Sequence, residues 1–125
     1  MMKESERDGL LLAELIEHLG YAYDDVSEFA AAEDLALDRK SRNSAAKEIE
    51  QAQECAARLS DSARTAMADV PWRELRGLRN VIVHEYGDVD WDVLYDTVMI
   101  DFPPVIDTLN TYQEHVRCLG ADGAG

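Results

Sequence analysis

The sequence predicts an all-α protein, an antiparallel helical bundle of four to five helices. Three observations carry that reading: apolar residues recur at alternating steps of three and four, Ala, Leu, Glu and Arg are abundant, and seven Gly with three Pro leave few turns in 125 residues. No alternation of period two marks a strand, and no internal repeat or linker divides the chain. A chain of this length supports one core rather than two, so residues 1–125 read as a single domain, and an enclosed site would need a second copy of the chain.

The elements follow in order. Leu12, Ile16, Leu19, Tyr23 and Val26 step by 4, 3, 4 and 3, the apolar stripe of an amphipathic helix over about 6–26. A short helical stretch follows between Glu28 and Leu37, and the polar run Asp38–Ser44 is either a turn or the exposed start of the next helix. Ala45, Ile49, Ala52, Ala56 and Leu59 repeat the spacing, with small residues that admit a close neighbour, and Ser60-Asp61-Ser62 reads as the stop. Pro71 suits the first turn of a further helix, where a missing N–H costs nothing. Gly77 is a possible break within it. Gly87 reads as its C′ residue and Asp90 as the next N-cap. Leu94 and Val98 lead into Phe102-Pro103-Pro104, where two prolines must kink or interrupt the helix. Val105, Leu109, Tyr112 and Val116 then resume the stripe, and residues 118–125 read as a frayed Gly/Ala tail.

Composition excludes several classes. The most apolar stretch, Leu10–Leu19, is broken by Glu14, Glu17 and His18, so neither a membrane span nor a signal segment fits. Two isolated cysteines, Cys55 and Cys118, form no disulfide framework and no CxxC knuckle, which points to a reducing, cytoplasmic setting. No HExxH, Cys/His cluster, GxSxG elbow or glycine-rich phosphate loop is present, so no metal and no cofactor are expected. A net charge of −14 opposes nonspecific binding of a polyanion, but the charge is uneven: −9 over residues 1–38, +3 over 39–79 and −8 over 80–125. Arg73, Arg76 and Arg79 lie in the positive third at three-residue spacing, a basic stripe on a helix or simply a solvated face.

That stripe leads into Arg79-Asn80-Val81-Ile82-Val83-His84-Glu85-Tyr86. On a helix Asn80 and His84 stack on one face, whereas Arg79 is rotated about 140° from His84 and must reach round. A histidine at this position can give or take a proton near neutral pH. The forked, permanent charge of Arg79 suits a phosphate or its pentavalent transition state, and Asn80 can orient either group. By spacing alone His84 is equally a satisfied core histidine, and Tyr86 equally a packing residue.

At these residues the sequence resembles the HEPN superfamily, and within it the HepT-type toxins, whose signature is Arg, four residues, His, one residue, Tyr. Arg79 through Tyr86 match it completely, and Val70-Pro71-Trp72-Arg73, Gly77-Leu78, Gly87–Asp90, Asp101–Pro104 and Arg7 extend the likeness over about residues 6–113. The resemblance implies a HEPN-like fold and the toxin of a type VII-like toxin–antitoxin pair. It implies a metal-independent endoribonuclease in which His84 is acid and base for attack of a ribose 2′-OH and Arg79 stabilises the phosphorane, with RNA approaching along Arg73 and Arg76. It also implies a homodimer with a composite active site. The implied partner is a minimal nucleotidyltransferase antitoxin that AMPylates Tyr86. The alternative is a noncatalytic HEPN module that binds a nucleotide or docks a nucleotidyltransferase.

Overall fold

The computed structural model describes residues 2–124, with side chains through Cys118. Beyond Cys118, the expected tail at 118–125 falls outside the described side chains. The elements are α1 (Glu4–Ser27), α2 (Ala32–Leu37), α3 (Arg39–Arg58), α4 (Asp61–Ala66), α5 (Trp72–His84), a 3-10 turn (Tyr86–Asp88), α6 (Trp91–Asp96), a π-helical turn (Thr97–Asp101) and α7 (Phe102–Ala124). No strand occurs among the described residues. The fold is all-α, as predicted.

α1 and α3 form the central pair. Their cross-helix hydrogen bonds join Glu14 to Cys55, His18 to Glu48 and Asp25 to Ser44, so one helix descends as the other ascends and the pair is antiparallel. Leucines of α1 face the alanine-rich side of α3, where Ala45, Ala46, Ala52 and Ala56 are buried and allow close approach. The α1 stripe is rotated by about one position from that predicted. Leu12, Leu15, Leu19, Ala22 and Val26 are buried, while Ile16 and Tyr23 are half-buried. The reason is a second neighbour: α7 also packs on α1, so its apolar face must serve two helices.

Short polar residues set the helix starts. Asp38 accepts from the Ser41 N–H at 3.0 Å, which makes the polar run from Arg39 the start of α3. α3 ends at Arg58, close to the expected stop, and Ser60 then starts a new helix. Its hydroxyl oxygen accepts from the Ala63 N–H at 3.1 Å and begins α4. Asp90 caps α6 as expected, accepting from the N–H groups of Asp92 and Val93 at 3.0 and 3.2 Å.

The expected interruption takes the form of a π-turn just ahead of the two prolines. Thr97 and Phe102 both keep right-handed helical dihedrals, and the Phe102 N–H donates to the Thr97 carbonyl, a π-type i to i−5 bond. Pro103 and Pro104 lack N–H donors and their rings crowd the carbonyls of the preceding turn; widening that turn by one residue relieves the clash while helical dihedrals are kept. Phe102, wholly buried, anchors the junction.

Candidate active site

α5 is the least buried of the long helices. Leu75 and Ile82 are its fully buried residues, Trp72, Leu78 and Val81 are half-buried, and its principal neighbour is α3. Pro71 lies one position earlier than expected, as N-cap with φ −78° and ψ 69°, and Gly77 does not interrupt the helix. The Trp72 indole N–H donates to the carbonyls of Arg64 and Met67 at 3.3 and 3.1 Å, tying the start of α5 to α4.

The helix stops at His84, three residues before Gly87. Glu85 leaves helical geometry with φ −142° and ψ 48°, and Gly87 sits in the 3-10 turn without a positive φ, so it is not the predicted C′ residue. Tertiary contacts account for the early stop. The Tyr86 hydroxyl donates to Asn43 Oδ1 at the start of α3, and its ring meets Trp91 edge to face, with centroids 5.7 Å apart and planes at 75°. Both contacts require the chain to turn immediately after His84.

Opposite the buried side, Arg73, Arg76, Gly77, Asn80, Val83 and His84 are all exposed, and their spacing places them on one continuous face. His84 is therefore a surface residue at the end of a helix, not a core histidine. Arg79 is turned toward α3: its Nη1 donates to Asn80 Oδ1 at 3.4 Å and its Nη2 lies 4.0 Å from Glu54 Oε1. Asn80 thus links Arg79 to the face that carries His84. Within one chain no hydrogen bond joins Arg79 to His84 among the described residues, as the 140° separation anticipated.

Four residues around the motif had no signal in the sequence. Asn43 meets Tyr86 from 43 positions away, Glu54 reaches Arg79 across the α3/α5 contact, and Gln53 and Arg64 adjoin the arginine stripe in an open groove. Each comes from another helix, and local spacing is blind to that. Among the described residues no group of three or more His, Cys, Asp or Glu is placed to hold a metal ion, and no helix is long and apolar enough to cross a membrane.

The chain matches the family described as Ribonuclease HepT-like over residues 16–112, a span that contains all of α5. It is similar to "Probable ribonuclease HepT" of Thermococcus cleftensis, 29% identical over 105 residues, covering 82% of this chain and 90% of that protein. It is also similar to "Putative RNase MJ1380" of Methanocaldococcus jannaschii, 34% identical over 47 residues, covering 38% of this chain and 43% of that one. No solved structure matches significantly. With the motif intact on an exposed helix face and the family match spanning most of the bundle, the chain belongs to the HepT-like ribonuclease family.

Proposed function

We propose that this HepT-type ribonuclease is a toxin that cuts RNA as a homodimer, with Arg79, Asn80 and His84 of two protomers facing one another across paired α5 helices. The observation that carries the reading is the solvent-exposed face of α5 on which Asn80 and His84 lie. Val83 on that face is 39% exposed, and a Cβ added at Gly77 would meet nothing within 4 Å. A glycine inside a helix costs about 0.5–1 kcal/mol relative to alanine. A second α5 approaching closely at Gly77 gives that cost a purpose, and two-fold symmetry supplies the second Arg79 and His84 that one chain lacks.

In the reaction, one His84 accepts the proton of a ribose 2′-OH. The freed oxygen attacks the adjacent phosphorus, the 5′-oxygen leaves, and the partner's His84 protonates it. The products are a 2′,3′-cyclic phosphate and a 5′-hydroxyl. Arg79 neutralises charge on the non-bridging oxygens, so the step calls for no metal ion. A minimal nucleotidyltransferase antitoxin ends the activity by transferring the adenylyl group of ATP to the Tyr86 hydroxyl: the phenolic oxygen, losing its proton, attacks the α-phosphorus, the α–β anhydride bond breaks and pyrophosphate leaves. The added phosphate and adenosine occupy the approach to His84, two residues away, and repel RNA.

The test is purified wild type, Arg79→Ala and His84→Ala on single-stranded RNA. Loss of either side chain is expected to slow cleavage by about 10²–10⁴-fold with unchanged helicity and dimerisation. An inert wild-type dimer, or variants as active as wild type, would refute the catalytic assignment and favour a noncatalytic docking module. Co-expression with a minimal nucleotidyltransferase antitoxin that neutralises the toxin should add the mass of one adenylyl group to Tyr86, and its absence under neutralisation would refute the switch.

A further inference from the structure

Beside the motif, α3, α4 and α5 enclose an open groove of about 480 Å³ whose wall includes Gln53, Arg64, Trp72, Arg73 and Arg76. It adjoins a smaller cavity of about 230 Å³ that reaches Arg79 and Asn80, and Gln53 and Arg76 line both. Four arginines therefore line two adjoining cavities between α4 and the motif, the smaller also bearing Glu54 beside Arg79, in a chain whose overall charge is −14. Neither Arg73 nor Arg76 has an ion-pair partner among the described residues. Arg64 is paired with Asp61 at 2.6 Å, but that carboxylate is 97% exposed, so the pair is weak and screened by solvent.

A second feature points to a ligand. Gln53 is 9% exposed, yet its Oε1 has no hydrogen-bond partner. Buried amide oxygens are nearly always paired, and because the Gln53 side chain lines both cavities, a donor entering from either satisfies the orphan once the amide turns. The last torsion of glutamine is soft, so a small turn of the amide presents either its acceptor or its donor to the groove. Trp72 cannot move as freely, because its indole N–H is engaged by the carbonyls of Arg64 and Met67. It offers a fixed aromatic wall.

We infer that this groove is a nucleotide subsite for the RNA strand beside the scissile bond: Arg64, Arg73 and Arg76 take a flanking phosphate, and the base lies against Trp72 where Gln53 reads its edge. A strand, rather than a free nucleotide, is favoured by the direct continuation to Arg79. The inference rests on the ribonuclease reading above and adds to it a base preference at a position next to the cut, set by Gln53. Fixed aromatic walls with a mobile amide are suited to that task, since stacking accepts every base and hydrogen bonds at its edge discriminate.

The test uses the full-length protein carrying His84→Ala, which binds labelled single-stranded RNA without cutting it, together with cleavage mapping in the His84 background. Arg64→Gln should weaken binding about 5- to 10-fold and reduce the slope of log Kd against log salt by about 0.7, the value of one single-strand phosphate contact. Gln53→Met should leave that slope unchanged and alter the distribution of cleavage sites. Gln53→Glu provides a second variant if the first folds poorly, and should likewise redistribute the sites. If wild type cuts RNA but Arg64→Gln keeps its affinity and slope and both Gln53 variants keep the cleavage pattern, the subsite is wrong and the ribonuclease reading stands. If wild type neither binds nor cuts RNA, both fall.

Discussion

Replacing Asp8 with alanine unties α4 from α1. The carboxylate accepts the Ser60 N–H at 2.9 Å through Oδ1 and the Ser60 hydroxyl at 2.6 Å through Oδ2, while the same hydroxyl oxygen caps α4 by accepting from Ala63. A hydrogen bond to a charged group contributes about 1.5–3 kcal/mol net. The two bonds share one acceptor group and one partner residue, and water reaches Ser60 once Asp8 is gone, so they are less than additive. We expect a loss of about 2–4 kcal/mol, which at about 3–4 °C per kcal/mol for a domain of this size lowers the melting temperature by about 6–16 °C. Urea unfolding measured at one fixed protein concentration, because a dimer's stability depends on it, is the assay. Ser60→Ala keeps the backbone N–H bond to Asp8 but loses the hydroxyl bond and the α4 cap, so it should cost a similar amount, and the double variant, which counts the shared hydroxyl bond once, should cost less than the sum of the two. A change below about 0.5 kcal/mol in Asp8→Ala, or full additivity in the double variant, would refute the coupling.

Three further outcomes follow from individual contacts. Cys55 is buried, and desolvation first, then its hydrogen bond to Glu14, push its thiol up to about 11, whereas Cys118 is exposed; iodoacetamide at pH 8 should alkylate Cys118 and spare Cys55, and equal labelling would contradict the packing. The Asp38 carboxyl is held below its ordinary value of 3.8, chiefly by the Ser41 N–H and then the Ser41 side chain. A depressed carboxyl contributes stability above its unfolded value and loses it as pH falls through the folded one, so the stability gap between wild type and Asp38→Ala should hold at neutral pH and narrow below 3.8. A gap that is constant with pH would remove the cap from the account. Asn43→Ala frees the Tyr86 hydroxyl, and amide exchange over Tyr86–Val89 should speed up by about 3- to 10-fold while α1 is unaffected, as measured by hydrogen–deuterium exchange.

The helices and their polar starts were legible because both are local. Alternating steps of three and four put Leu12, Leu19 and Val26 on one face whatever surrounds them, and Asp90 caps α6 with bonds that span only three residues. The order Arg79, Asn80, His84, Tyr86 was likewise set by the chain alone, as were the shared face of Asn80 and His84 and the separation of Arg79 from His84. What the sequence could not determine depends on neighbours distant along the chain. α7 rotates the buried stripe of α1. The pull of Asn43 and Trp91 on Tyr86 ends α5 at His84 instead of Gly87, and the interruption that local rules expect at two prolines takes the form of a π-turn. His84 on the surface, Arg79 turned toward Glu54, and Gln53 left unpaired beside the arginines are likewise results of packing. Periodicity specifies that a helix has an apolar side; only tertiary contact decides how wide that side is, where the helix must stop and which of its polar residues remain open to a substrate.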